Sequence, residues 1–508
     1  MAIDGVAPQA KMKNQRDRRF RKSLDEQHVN MFMKEHLNMT QEQVDFKSNS
    51  ISPGTKFMIE LNTHIEFFVK RKLHEDFEWR GRDVIFSGGN VAGEGEQKIV
   101  DFIRSKGPRM GRRDMHCIYG NDSDLILLGL KLHVPNLFVL KERNVFVDKD
   151  RRTNHAAKRW ESEQSLEVIY INLLREYLYL EFSEEDFQKQ FRKKFKGEWA
   201  AFVGNVKLDR SKANMERFVD DFVFLTHFVG NDFLPPVYGF STKHGHLDLF
   251  IRELKKFYKE HGLFLIFREE IQFAHLALLL KQLSGFQNKF IDHCTNEFRR
   301  EISNYDRRKK MLSKDNTRKE EGIIMDDDAE TDLFLLRYKG DYHELISAHK
   351  KLKKMSGLKS EKEKQKIFYY LNYFKKQSTG GSSEEVAEAI NKMCRSFFEG
   401  LDFMHRYYSE GCPSWVWYYP HDLCPLMSDM ASYLDNHMKN TAPNTRPFPL
   451  IQGQPFRPYI QLLHILPKAS LSLLPPVFKK TLFDPTNTKQ TNPSTPPPPQ
   501  KKKKILKS

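Results

Sequence analysis

The sequence NVAGEGEQKI occupies residues 90–99, and the sequence IYGNDSDL follows at residues 118–125. Each stretch places two acids one residue apart where an apolar segment meets a glycine-bearing turn. The pairs are Glu94 with Glu96 and Asp122 with Asp124. Acids this close repel each other unless a cation lies between them. The pattern therefore predicts a divalent-metal site.

The segments around these acids predict an α/β fold. Residues 82–86 and 116–119 read as short strands, and each of them comes just before one acidic stretch. Residues 1 to about 250 alternate such strands with amphipathic helices, one of which we expect to begin with Ser52 as its N-cap and Pro53 in its first turn. A mostly parallel sheet of this kind binds ligands beyond the carboxyl ends of its strands, where both acid pairs fall.

A third acidic motif follows a predicted helix at residues 219–228, because Gly230 ends the helix and places Asp232 in the turn. All five acids lie at the ends of predicted elements, where side chains from separate motifs can converge. Their hard oxygen atoms suit Mg²⁺ or Mn²⁺, and two such ions about 4 Å apart promote phosphodiester hydrolysis. One pair alone could instead complement a helix dipole or form a turn, but three motifs together favour the metal.

The overall charge favours a polyanionic partner. Lysine and arginine number 83 against 67 aspartates and glutamates, which gives a net charge of +16. Residues 11–22 read KMKNQRDRRFRK, and a helix there would present Lys11, Gln15, Arg18 and Arg19 on one face. Guanidinium groups match phosphate oxygens, so this face predicts a pocket for a terminal phosphate. A solvated basic helix and a localisation signal are the alternatives.

Residues 412–420 read CPSWVWYYP and bring Trp415 and Trp417 close together in the sequence. Aromatic rings can stack on unpaired bases regardless of base sequence. Buried core is the alternative interpretation of such a cluster.

The remaining chain divides by composition. Residues 251–480 read as a largely helical domain, with charged insertions near 303–331 and 375–384, and residues 484–508 read as a disordered Pro/Lys-rich tail. No apolar run is long enough to cross a membrane or act as a signal region, which predicts an intracellular protein. The lysines at 501–504 fit a nuclear import signal or an RNA-attracting tail, so nucleus and cytoplasm are not separable.

These motifs resemble those of the XRN-type 5′→3′ exoribonuclease family. The matching segments are residues 3–8 (IDGVAP) running into 11–21, then 51–58, 90–99, 118–125, 173–178, 220–235, 411–420 and 455–474. The resemblance thus extends from residue 2 to about 475. It implies a nuclease core of the PIN/flap-endonuclease kind at residues 1–250, followed by a helical domain that closes the active site.

The family's activity is processive hydrolysis of single-stranded RNA from a 5′-monophosphate end, in RNA decay or processing. By resemblance, Mg²⁺, with Mn²⁺ possible, is held by Asp4, Glu94, Glu96, Asp122, Asp124 and Asp232. The 5′-phosphate pocket maps onto Lys11, Gln15, Arg18 and Arg19, and one of Trp415 and Trp417 stacks on a base.

Family members also carry a first core strand, with a further metal-binding aspartate, that has no counterpart in this sequence. We therefore expect a partial chain that folds poorly or cleaves weakly by itself, since a missing strand leaves backbone groups unpaired. Smaller departures are Asn121 and Ser123 in the acidic motif, Pro236, and the HDLCP run at 421–425. The alternatives are an XRN-like RNA-binding protein without activity and a flap-endonuclease-like nuclease. The second would not explain the basic helix or the carboxyl-terminal half.

Overall fold

The computed structural model describes residues 1–36, 47–106, 114–143, 165–182, 212–238, 240, 245–287, 369–370, 383–439 and 447–478. The insertion predicted at 303–331 and the tail predicted at 484–508 lie outside these ranges, as does most of 375–384. Residues 383 and 384, which we expected to belong to an insertion, instead begin a helix.

The described strands form two small sheets. In the first, β1 (His116–Tyr119) runs parallel to β2 (Leu137–Glu142), and β2 runs antiparallel to β3 (Leu166–Tyr170). The second is an antiparallel hairpin of β4 (Ile266–Phe267) and β5 (Glu270–Ile271). Among the described strands only one pair of three is therefore parallel, so the mostly parallel sheet that we predicted is not found there.

The strand at His116–Tyr119 is confirmed, but the one predicted at residues 82–86 does not form. The amino-terminal amine of Met1 donates to the Ile85 carbonyl at 2.8 Å, and the following residue, Ser87, makes a single parallel bridge to Ala2. One bridge without a continuing ladder does not make a strand.

Helices make up most of the described chain. In order they are α1 (Gln9–His36), α2 (Lys56–Glu75), α3 (Gly95–Lys106), α4 (Asp124–Lys131), α5 (Ile171–Glu181), α6 (Lys212–Thr226), α7 (His246–His261), α8 (residues 273–287), α9 (Ser383–Ser409), α10 (Met427–Lys439) and α11 (Pro458–Ile465). In the part of the chain that is described, no helix has the length and apolarity needed to span a bilayer.

Helix α2 begins later than predicted. Thr55 is its N-cap and accepts a hydrogen bond from the Met58 N–H, whereas Ser52 donates to the Asn49 carbonyl at 2.8 Å. The reason is Gly54, whose φ of +90° lies outside the helical region. Ser52 and Pro53 therefore precede the helix.

Three apolar cores hold these elements together. The largest joins α6, α7 and α9 and is rich in aromatic rings, as in the stacked pair Phe182 and Phe218, whose centroids lie 4.9 Å apart. A second lies beneath the first sheet around Ile118 and Val139. A third packs Met12 of α1 against α11. Helix α1 is thus held by the carboxyl-terminal part of the described chain.

A charged network ties α4, α5 and α6 together away from the acidic motifs. Lys131 Nζ lies 2.6 Å from Asp220, and the His133 ring contacts Glu216 at 2.6 Å and Asp220 at 2.9 Å. Arg175 of α5 pairs with Glu216 and donates to the Leu130 carbonyl at 2.6 Å. The network fixes the carboxyl end of α4, whose other end carries Asp124.

Candidate active site

The first acidic motif forms the start of α3. Glu94 comes just before the helix, Glu96 lies in its first turn, and the Gly95 N–H donates to Asp4 Oδ1 at 2.6 Å. A helix leaves its first amide groups unpaired, so Asp4 satisfies one of them from a distant segment. A Cβ at Gly95 would stand 3.2 Å from the Ala2 carbonyl oxygen and 3.3 Å from the same carboxylate, so the glycine allows this close approach without crowding. Asp4 therefore lies beside the Glu94 and Glu96 motif.

The second acidic motif connects β1 to α4. Asp122 Oδ1 accepts a hydrogen bond from the Asp124 N–H at 3.1 Å, and Asp124 begins the helix. Asn121, one of the departures from the family pattern, accepts the Glu142 N–H at 2.9 Å and also donates to its carboxylate. The asparagine thus anchors this loop to β2.

Asp232 lies in the turn that ends α6. A short 3₁₀ turn follows the helix, Gly230 has a φ of +94°, and Asn231 Oδ1 accepts the N–H groups of Phe233 and Leu234, each at 2.9 Å. The turn holds the Asp232 carboxylate against α1, where Asn14 donates to it at 2.6 Å.

Lys11 bridges two of the acidic motifs. Its Nζ lies 2.7 Å from Glu94 Oε2 and also pairs with Asp232, and its side chain is 9% exposed. Burial alone would lower the pKa of Lys11, but the charges of Glu94 and Asp232 outweigh burial and raise it. Lys11, which we predicted for the phosphate pocket, is thus directed at the acids in this conformation.

The acids interact with one another across the motifs. Burial first, and then the charges of Glu94, Asp122 and Asp124, raise the pKa of Glu96 to about 9, although Lys11 acts the other way. Burial and the charge of Asp122 likewise raise the pKa of Asp124. Burial raises the pKa of Glu94, partly opposed by Lys11. One ammonium group therefore does not compensate the negative charge gathered here.

The oxygen donors and surplus negative charge of this cluster fit a divalent cation of the Mg²⁺ type. Even so, within the described ranges no three acidic, histidine or cysteine side chains are arranged to hold a metal ion as they stand. Instead, Lys11 pairs with Glu94 and Asp232, and tyrosine hydroxyl groups are hydrogen-bonded to Glu94 and Asp124. Metal binding would accordingly require these side chains to rearrange.

The predicted basic face of α1 continues away from the acids. The Arg19 guanidinium donates to Ser52 Oγ at 2.7 Å, and burial followed by the charge of Arg18 lowers the pKa of Arg19. Arg18 is exposed, and Gln15 Oε1 is buried with no hydrogen-bond partner among the described residues. Adjacent guanidinium groups that repel each other form a suitable contact for an anion.

The two tryptophans occupy different environments. Trp417 stacks on Phe403 with a centroid distance of 4.9 Å and packs against the largest core. Trp415 is half-buried, and its carbonyl accepts the N–H of Gln9 at the start of α1 at 3.1 Å. The backbone of Trp415 thus contacts the start of α1, whereas the ring of Trp417 packs against the largest core.

Two tyrosines at the end of α9 were missing from the prediction. The Tyr407 hydroxyl donates to Glu94 Oε1 at 2.8 Å, and the Tyr408 hydroxyl is hydrogen-bonded to Asp124. Asn14 was also missed, although it lies one helical turn from Lys11 on the face already identified. The consecutive tyrosines next to the aromatic motif were the only sequence signal for the pair.

Comparison with known proteins adds to this geometry. The family model described as the XRN 5′-3′ exonuclease N-terminus matches residues 1–143, and the model of the Xrn1 helical domain matches residues 212–492, more than half of the chain. The chain belongs to the XRN family. A nuclease domain followed by a helical domain is therefore confirmed, while our boundary near residue 250 stays a prediction.

Named relatives of the XRN family match nearly the whole chain. The 5′-3′ exoribonuclease 1 of Saccharomyces cerevisiae is 30% identical over 95% of this chain and 35% of that protein. The human 5′-3′ exoribonuclease 1 is 28% identical over 94% of this chain and 26% of that protein. The 5′-3′ exoribonuclease 2 of Arabidopsis thaliana is 27% identical over 96% of this chain and 53% of that protein. This XRN chain spans only a quarter to a half of those three relatives.

Proposed function

We propose that the chain is a 5′→3′ exoribonuclease that hydrolyses single-stranded RNA carrying a 5′-monophosphate, with a divalent metal ion, in RNA decay or processing. The observation that carries the proposal is the approach of acids from four separate segments to one another beside the cationic helix α1. The names of the relatives support the direction of cleavage and the RNA substrate.

The metal ion would be Mg²⁺, with Mn²⁺ possible. It would be held by members of the set Asp4, Glu94, Glu96, Asp122, Asp124 and Asp232. When bound, the ion supplies the Lewis acidity that activates water and stabilises the leaving oxygen of a phosphodiester. The raised pKa of Glu96 supports this assignment, because like charges crowded together favour a cation among them.

Residues of α1 would recognise the substrate end. Gln15, Arg18 and Arg19 would bind the 5′-monophosphate, and Lys11 stands between that group and the acids. Binding the terminal phosphate next to the acids would fix which phosphodiester bond is positioned for attack. Trp415 would stack on a base near the same helix, which holds the single strand without reading its sequence.

The two alternatives make different predictions. An RNA-binding protein without activity would keep the cationic face but would have no need of clustered acids, which are costly unless a cation uses them. A flap-endonuclease-like enzyme would share the acids but would have no role for the contact between α1 and α11, where Arg16 donates to the His464 carbonyl at 2.6 Å. Both features together favour the exoribonuclease.

One assay separates the three functions. The protein is incubated with single-stranded RNA bearing a 5′-phosphate or a 5′-hydroxyl, with Mg²⁺ or with a chelator. Mononucleotides released only from the phosphorylated RNA, and only with Mg²⁺, support the proposal. Binding without cleavage supports the inactive protein, and internal cuts in both RNAs support the flap-endonuclease-like enzyme.

A further inference from the structure

Residues 212–492 match the helical-domain model. Among the described residues of this segment, two consecutive tyrosines at the carboxyl-terminal end of α9 hydrogen-bond directly to predicted metal-binding acids outside it. Tyr407 donates to Glu94 at the start of α3, and Tyr408 contacts Asp124 at the start of α4. Neighbouring residues on a helix point about 100° apart, so consecutive phenols can reach two different motifs. One helix end therefore contacts both acidic pairs.

Both phenols are held firmly by their surroundings. Tyr407 is 3% exposed, and its ring packs against Phe403 and Phe233 with centroids 5.6 and 5.0 Å away. Phe233 directly follows Asp232, so the same ring also supports the third acidic motif. Tyr408 is 2% exposed and packs against His227 with a centroid distance of 5.1 Å.

The backbone at this helix end is also fixed. The Arg104 guanidinium of α3 donates to the Tyr408 carbonyl at 3.1 Å and pairs with Asp101 of its own helix. Gly411 has a φ of +106° and its N–H returns to the Arg406 carbonyl, which ends the helix at a defined place. Helices α3 and α9 therefore hold each other in register at the acids.

A phenol contributes something that a lysine does not. It donates one hydrogen bond to a carboxylate, favours the ionised form and adds no positive charge that would repel an incoming cation. Tyr407 binds one oxygen of Glu94 while Lys11 binds the other, so the carboxylate is oriented from both sides. Partners of this kind orient ligands and tune their affinity in metal sites.

We infer that Tyr407 and Tyr408 are positioning residues that set the orientation of Glu94 and Asp124 for divalent-metal binding, and so couple the helical domain to the acidic cluster. The inference rests on the proposed function and deepens it. Both tyrosines are almost fully buried, so each acts through the carboxylate that it orients.

The test uses Tyr407→Phe and Tyr408→Phe, which remove only the hydroxyl groups, in the full chain. Mg²⁺ binding is measured by calorimetry without RNA, and kcat and KM are measured on 5′-phosphorylated RNA. We expect the metal affinity and kcat to fall about 10- to 100-fold in each variant, with KM for RNA changed less than about twofold.

The matched control is Tyr258→Phe. Tyr258 is a fully buried tyrosine that donates to the buried Asp221 at 2.8 Å, and neither residue belongs to the predicted metal-binding set. Its variant should lower the melting temperature but leave metal affinity and kcat unchanged. A melting curve of every variant shows whether a loss of metal binding merely reflects a loss of folded protein.

Phenylalanine variants that bind Mg²⁺ and turn over as the unmodified protein does would overturn the inference, and so would an equal loss in the control. If the unmodified protein binds Mg²⁺ but cleaves no RNA, the proposed function fails while calorimetry still decides the role of the tyrosines. If the unmodified protein binds no divalent ion at all, the inference fails as well.

Discussion

Lys11 and Glu94 form an ion pair 2.7 Å long between two side chains that are 9% and 8% exposed. The pair joins α1 to the start of α3, and the same ammonium group reaches Asp232 beyond α6. A single lysine thus compensates part of the charge of two acidic motifs. Several consequences of this arrangement can be measured.

Replacing Lys11 with methionine should destabilise the protein when no divalent ion is present. Removing one partner of a buried pair leaves an uncompensated charge, at a cost of about 3 kcal/mol in the free energy of unfolding. Urea unfolding with a chelator measures the loss, and added Mg²⁺ should restore part of it. Lys56→Met, at an exposed lysine 3.6 Å from Glu60, is the control. Equal stabilities for the two variants would contradict the prediction.

Replacing Asp122 with alanine should abolish cleavage but leave RNA binding largely intact. The carboxylate belongs to the predicted metal set and has no contact with the cationic face of α1. We expect turnover to fall at least about 100-fold, the upper range for residues that only orient a ligand. Glu66→Ala, an exposed acid on α2, is the control. Unchanged turnover would remove Asp122 from the site.

Replacing Arg18 with alanine should reduce the preference for 5′-phosphorylated RNA. A hydrogen bond to a charged group contributes about 2 kcal/mol, which corresponds to roughly 30-fold in the ratio of kcat/KM between phosphorylated and hydroxyl ends. Arg71→Ala, at an exposed arginine of α2, should leave the ratio unchanged. An unaltered ratio in the Arg18 variant would place the phosphate pocket elsewhere.

Alanine substitutions of the two tryptophans should have different effects, one on the stability of the protein and the other on RNA binding. Trp417→Ala removes a half-buried ring that stacks on the core residue Phe403 and should lower the free energy of unfolding by about 3 kcal/mol. Trp415→Ala should preserve stability but weaken binding of single-stranded RNA by about 1 to 3 kcal/mol. Chemical unfolding measures the stability of each variant, and RNA titration measures its binding. A loss of stability in the Trp415 variant together with a loss of RNA binding in the Trp417 variant would exchange the two assigned roles.

His133 should make stability depend on pH. Burial alone would lower its pKa, but hydrogen bonds to Asp220 and Glu216 raise it to about 9. Because this value exceeds the 6.5 of a free histidine, the stabilising contribution is complete below pH 6.5 and is lost as the pH rises through 9. The pKa values of Glu216 and Asp220 are lowered to about 2. The stability that these two carboxylates contribute is therefore lost only as the pH falls below about 4.

The corresponding experiment compares His133→Gln with the unmodified protein in urea at pH 6 and pH 10. The loss of unfolding free energy should be about 2 kcal/mol larger at pH 6, since charge-assisted hydrogen bonds are removed only there. His74→Gln, an exposed histidine near the end of α2, is the control. A loss that does not vary with pH would show that the ring acts only by packing.

The sequence predicted the local structure of the second acidic motif, between β1 and α4, because the signals there are local. A strand, a glycine turn and a helix start lie within ten residues of one another, and charge repulsion makes paired acids unusual. The same reasoning wrongly predicted a strand at residues 82–86, because an apolar run becomes a strand only where a partner chain continues beside it. It also placed a helix start at Ser52, although the φ of Gly54 prevents a helix there.

Other features depend on contacts that no local pattern encodes. Tyr407 and Glu94 are separated by 313 residues. Helical spacing correctly grouped Lys11 with Arg18 on α1, but it could not tell that the first turns toward the acids and the second toward solvent. That difference depends on how α11 and the turn after α6 pack against α1.

The central claim is that acids distant in the sequence form one divalent-metal site. The most direct measurement is a crystal structure of the protein soaked in Mn²⁺, with an anomalous difference map. The account predicts at least one peak at coordination distance, about 2 Å, from oxygens of two or more of the acidic motifs around Glu96, Asp122 and Asp232. A fully soaked crystal without a peak among these acids, or with Lys11 still filling the space between Glu94 and Asp232, would contradict it.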